Sequence, residues 1–100
     1  MKIIWSPLAL ERVREITGYI AQDNLEAARM LALELFGAVD RLKDFPQSGR
    51  MVPEAGRQNI REVIQGKYRI VYRVDKQQVV VLTVRHSRQR LLIKEIKSKE

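Results

Sequence analysis

The sequence predicts an α+β fold in which a helical hairpin packs on one face of a small, mainly antiparallel sheet, in the order strand, helix, helix, strand, strand, strand. Residues 7–45 carry two apolar stripes of helical period separated by a polar corner. Residues 68–88, YRIVYRVDKQQVVVLTVRHSR, alternate as two strand arms around a short polar turn. The connections between the last three strands are too short for crossovers, so those strands should be antiparallel. One hundred residues, 45% of them apolar, make a single domain over 1–100 with one core between helices and sheet.

In chain order, KIIW at 2–5 is a short β-rich run, and Ser6 followed by Pro7 starts a helix. The serine caps free backbone amides, and proline is harmless at the first helical position. Ala9, Val13, Ile16 and Ile20 then recur at intervals of three and four, a stripe ending near Ala21. Gly18 interrupts it at a cost of about 1 kcal/mol relative to alanine, which implies close packing against another backbone. Asp23, with Glu26 three residues on, reads as a capping box for a second helix. Its seam runs through Leu25, Ala28, Ala32, Leu35, Val39 and Leu42 and stops before Pro46. Met30, Leu31, Leu33 and Phe36 widen the apolar surface beyond one stripe, enough for the sheet plus the first helix or a partner chain.

Residues 46–59, PQSGRMVPEAGRQN, have two glycines, two prolines and no period, so they read as a loop, and loops of that length are commonly functional. A strand over 60–65, a turn at Gly66 and Lys67 and the central hairpin follow. The helices should cover one sheet face and leave the basic strands exposed on the other. The tail LLIKEIKSKE can form a short amphipathic turn of helix or dock on a partner.

Net charge is +7, and it is unevenly placed. Residues 1–45 hold six lysines and arginines against seven acids, whereas residues 46–100 hold thirteen against five. The sheet half therefore carries the whole excess and should attract a polyanion, either nucleic acid or an acidic protein. The absence of cysteine excludes disulfides, zinc–thiolate sites and a cysteine nucleophile. No apolar run is long enough to span a membrane, and the amino terminus lacks a signal-peptide core, so a cytoplasmic protein is expected.

No P-loop, dinucleotide fingerprint, zinc-protease motif or nucleophile elbow occurs, and no cofactor or metal is expected. The candidate chemistry lies in the strand arginines Arg61, Arg69, Arg73 and Arg85, with Lys67 and Arg88 at the hairpin end, Glu54 in the loop, and His86. Guanidinium groups on neighbouring strands suit phosphate, but cleaving a phosphodiester also needs a general base and a general acid. His86 is the only imidazole. If Lys76 and Gln77 form a two-residue turn and Arg73 pairs with Val80, His86 shares a face with Arg69 and Arg73. If the turn holds one more residue, His86 follows Leu82 and Val84 toward the core, where it would be structural. The turn lacks Asn-Gly or Asp-Gly, which leaves both registers open. Exposed strand arginines should be replaceable at about 0.5 kcal/mol each.

These residues resemble the RelE/ParE family of bacterial toxin–antitoxin toxins along nearly the whole chain. The likeness lies in WSPLALERVREITGYIAQDN, the second helix into LKDFPQSGRMVPE, IREVIQGKYRIVYRV, and VVVLTVRHSRQ. It implies a toxin of a type II pair that blocks growth, wrapped by a cognate antitoxin whose ordering entropy calls for about 2,000 Å² or more of buried contact. RelE-like members cut mRNA on the ribosome, and ParE-like members poison DNA gyrase. Arg69 falls where the ribonucleases keep an arginine on the scissile phosphate, and Glu54 resembles a catalytic glutamate of one branch. The catalytic histidine of that branch would align with Ser87, whereas here it stands one residue earlier, at His86, and one residue reverses the face of a strand. The DNLEAA corner and the LKDFPQSGR exit are similar to the ParE branch, which lacks a complete ribonuclease set. Gyrase poisoning is accordingly placed slightly ahead of mRNA cleavage, and a non-toxic basic binding module is the reading from another class.

Overall fold

The computed structural model describes residues 1–96. Its elements are β1 (Lys2–Trp5), α1 (Pro7–Ala21), α2 (Leu25–Asp40) with a 3₁₀ turn over Arg41–Lys43, β2 (Arg50–Met51), β3 (Ile60–Gln65), β4 (Tyr68–Val74), β5 (Gln78–His86) and α3 (Ile93–Ile96). The five strands form one sheet in the order β1-β5-β4-β3-β2, antiparallel except for β1, which lies parallel to β5. The helical hairpin packs on one sheet face, as expected. The two-residue β2 sits inside the predicted loop and adds a fifth strand by pairing Arg50 with Glu62 and Met51 with Arg61.

Ser6 caps α1 by accepting from the Ala9 amide at 3.0 Å, and its hydroxyl donates to the Leu82 carbonyl, tying the helix start to β5. At the second helix the cap is Asn24, not Asp23, because the Asn24 side chain is the one that accepts from the Ala27 amide, at 3.0 Å. The expected close contact at Gly18 is absent, since a Cβ there would meet nothing within 4 Å. The demanding glycine is Gly49. A Cβ at that position would lie 2.5 Å from the Glu62 carbonyl oxygen and 2.6 Å from the Tyr72 hydroxyl.

Between sheet and helices, Ala9, Val13, Leu35, Ala38 and Val39 pack on Ile70, Val81 and Val84. At one end of the same layer Leu42 packs with Tyr72 and Val79. The opposite sheet face departs from expectation because it is covered rather than open. Val71, Val80 and Leu82 are buried there under Val52 and Ala55 from the loop and Leu91 and Ile96 from the tail. The middles of β4 and β5 are therefore buried on both faces, and the alternation of β4 hides a second, smaller core around Val71.

The β4–β5 register contains the feature that most affects the site. Next to the turn Arg73 pairs with Val80, as in the two-residue-turn reading. Tyr72 then pairs with Val81 and Val71 with Thr83, so Leu82 is an extra residue, a β-bulge. Beyond it the side chains of β5 have exchanged faces, and His86 pairs with Tyr68 on the helix side while Arg85 pairs with Arg69 on the other. The turn follows one predicted register and His86 follows the face of the other. Among the described residues no helix is long and apolar enough to cross a membrane.

Candidate functional site

Strand register divides the predicted site residues between two sheet faces. Arg69, Arg73 and Arg85 share the face away from the helices, whereas Arg61, paired with Tyr72, and His86, paired with Tyr68, belong to the helix side. Lys67 and Arg88 lie exposed where the hairpin ends.

Arg69 is the centre of a buried charge cluster and is only 7% exposed. Its Nε donates to Glu62 Oε1 at 2.6 Å, and its two terminal nitrogens donate to Glu54 at 3.1 and 3.2 Å, a bidentate fork. Glu62, 1% exposed, also accepts from Arg50 Nε at 2.6 Å. Two guanidinium groups and two carboxylates thus close a neutral chain, Arg50–Glu62–Arg69–Glu54. The Arg69 fork, above all, holds the Glu54 carboxyl below the usual glutamate range. Hydrogen bonding to Glu54 in turn raises the pKa of Arg69.

The remaining strand cations also have partners. Arg73 forks onto Asp75 at 2.9 and 3.1 Å, and that contact draws the Asp75 carboxyl down. Arg61 donates to the Gly49 carbonyl at 2.8 Å. The Gly49 amide donates to the Tyr72 hydroxyl, which donates to the Pro46 carbonyl at 2.8 Å, so Arg61 and Tyr72 fasten the loop to the sheet. Burial is the main reason that the Tyr72 hydroxyl is held above its ordinary pKa. Arg85 pairs with Glu95 at 3.2 Å and donates to the Arg90 carbonyl, and Glu95 also accepts from the Thr83 hydroxyl at 2.7 Å. Glu62 and Glu95, which hold these arginines, escape sequence reading because each looks like one more strand or tail acid. The one available signal is that Glu62 lies between Ile60 and Ile64 on the same face of β3.

Basic groups open to solvent are found at the hairpin end. Gly66, at φ +60°, lets the β3–β4 turn close, and the Ser87 amide donates to the Lys67 carbonyl at 2.7 Å. Lys67, His86, Ser87 and Arg88 line a cleft of about 250 Å³ there. His86 meets Tyr68 edge-on at 5.6 Å, and its Nδ1 accepts from the Arg88 amide at 3.1 Å. An adjoining cleft of about 440 Å³ runs between α1 and β5, lined by Ile16, Tyr19, Tyr68 and His86 among others. This end offers cations and one imidazole without a carboxylate in the smaller cleft. The Arg69 cluster offers a carboxylate and guanidinium groups without an imidazole.

A family model described as the ParE toxin of the type II toxin–antitoxin system parDE matches residues 3–91. The chain is 37% identical over 91 residues to Y4kP of Sinorhizobium fredii, a toxin by name, covering 88% of this chain and 90% of that protein. It is 31% identical over 86 residues to Toxin RelE2 of Caulobacter vibrioides, covering 86% and 94%. Among solved structures it is similar in fold to a chain of the chromosomal ParDE system from P. aeruginosa, with a TM-score of 0.73, 16% identity and coverage of 86% and 95%. With a match that takes in both helices, the sheet and the basic hairpin, the chain belongs to the ParE toxin family of type II toxin–antitoxin systems.

Proposed function

We propose that the protein arrests growth as a ParE-type poison of DNA gyrase in the cytoplasm and is neutralised by a cognate antitoxin. The observation that carries the gyrase reading is the separation of the would-be catalytic groups. His86 belongs to the helix side of the sheet, while Arg69 and Glu54 lie on the other and neutralise each other. Metal-free cleavage of RNA needs an acid, a base and a cation around one phosphate, and that convergence is what the bulge at Leu82 disfavours. The proposed contact surface is the basic hairpin end, where Lys67 and Arg88 face solvent, and not the covered face on which Arg69, Arg73 and Arg85 are paired with acids. For the antitoxin, α2 presents Leu25, Met30 and Leu33 to solvent, with Phe45 beyond it. Such an apolar strip beside a basic sheet half suits an acidic, amphipathic partner.

A ribosome-dependent mRNA endoribonuclease is the second reading, favoured by the direct contact of Glu54 with Arg69 and by the likeness to a protein named RelE2. Purified protein incubated with gyrase and plasmid separates the two. Accumulation of enzyme-linked, cleaved plasmid is expected. Its absence, together with codon-spaced cuts in a translated mRNA, would transfer the assignment to the second reading. A non-toxic binding module predicts neither product and no growth arrest.

A further inference from the structure

Glu54 and Glu62 grip the same guanidinium from two sides, and they differ in how easily each could let go. Glu62 is completely buried in β3, between β2 and β4, so releasing it would open the sheet. Glu54 projects from the loop between β2 and β3, its side chain is 36% exposed, and Gly56 two residues later turns the backbone at φ +63°. What Glu54 covers is the outward fork of Arg69, whose two parallel N–H donors match a carboxylate or a phosphate equally well. With Glu54 in place the four-member cluster is neutral. Without its charge the remaining three, Arg50, Glu62 and Arg69, carry one net positive charge. Of the cluster, Glu54 is the member that reaches a cleft of about 570 Å³, which it lines together with Arg90. The Arg90 side chain has no ion pair among the described residues.

We infer that Glu54 is a built-in competitor: it occupies at rest an anion site formed by the Arg69 fork with Arg50, and a phosphate group gains that site by displacing the Glu54 carboxylate. The protein's grip on phosphate is thereby held down by its own loop. The inference rests on the reading above only in taking nucleic acid as the source of the phosphate, and it concerns the free protein without gyrase or ribosome. A loop carboxylate that merely stabilised the fold would have no reason to compete with an external anion. A tethered competitor must, because one fork cannot bind two anions.

Binding of a short single-stranded oligothymidylate and of inorganic phosphate is measured by titration calorimetry for wild type, Glu54→Gln, Glu11→Gln and Glu54→Gln/Arg69→Lys. Glu11→Gln raises the net charge by the same amount from the exposed surface of α1. Glu54→Gln should tighten oligonucleotide binding at least tenfold over wild type, against less than twofold for Glu11→Gln. The gain should vanish when Arg69→Lys keeps the charge but removes the fork. A gain for the oligonucleotide well above that for inorganic phosphate marks the nucleic-acid backbone as the source, and equal gains mark the free anion; both require the site. Equal binding by Glu54→Gln and Glu11→Gln, or a gain that survives Arg69→Lys, overturns the inference. Wild-type protein gives an arm that needs no substitution: phosphate should shift the amide resonances of residues 54–57 saturably, and their indifference would be equally fatal. Loss of gyrase poisoning with this pattern intact would refute the proposed function and leave the competitor in place.

Discussion

Replacing Arg69 with alanine should unfold more than it unbinds. As an exposed strand arginine it would cost about 0.5 kcal/mol, but it is 7% exposed and bonded to two carboxylates, one of them fully buried. Removing one member of a buried pair typically costs about 3–5 kcal/mol, because the partner charge is left without compensation. Here the low end applies. Glu62 keeps Arg50 at 2.6 Å, but that side chain is 65% exposed and screened, and Glu54 can turn to water. The expected loss is about 3 kcal/mol, which for a domain of this size lowers the melting temperature by roughly 12–24 °C. Urea denaturation of wild type, Arg69→Ala and Arg69→Met/Glu62→Leu measures it. The double variant removes both charges and should recover most of the loss. A loss below about 1 kcal/mol for Arg69→Ala, or no recovery in the double variant, would show that the cluster is not the coupled unit described. A toxicity assay on Arg69→Ala alone would confuse folding with function. Arg69→Lys is the better probe.

Other outcomes follow from the same geometry. Gly49→Ala should cost about 2–3 kcal/mol, since its Cβ collides with the Glu62 backbone, whereas Gly18→Ala should gain up to about 1 kcal/mol; paired thermal melts check both. The depressed carboxyls of Glu54 and Asp75 contribute stability that is fully present above the ordinary carboxylate pKa and disappears as pH falls through their lower folded-state values. The stability difference between wild type and Glu54→Gln should therefore be constant at neutral pH and shrink below about pH 4, which melts across the acid range will reveal. His86→Gln loses a ring contact with Tyr68, so about 1 kcal/mol of stability should go while growth arrest persists; a well-folded, inactive variant would favour the nuclease reading.

Helix content and the hairpin were legible because each rests on local period and cap chemistry, as with Ser6 and Pro7 starting α1. The rest depends on partners distant in sequence. Covering of the second face comes from Val52, Leu91 and Ile96, each an unremarkable residue in a loop or tail. The bulge at Leu82 has no local mark, because VVVLTV is apolar on both faces and tolerates a one-residue slip without exposing a polar group. That slip sends His86 to the helix side and so separates it from Arg69. Likewise, counting basic residues located the charged half of the chain but could not tell Lys67 and Arg88, which face solvent, from Arg69 and Arg85, which buried acids neutralise. Positive charge in sequence is not positive potential at a surface.

The central claim is that this sheet delivers a gyrase poison rather than a nuclease, and the order of events after induction tests it most directly. Cells induced to express the chain without its antitoxin are pulse-labelled for DNA and for protein synthesis. DNA synthesis should fall first, with chromosome breaks that disappear when gyrase carries a poison-resistant subunit, while mRNA stays intact. Protein synthesis failing first, with cleaved mRNA and an unbroken chromosome, would contradict the account.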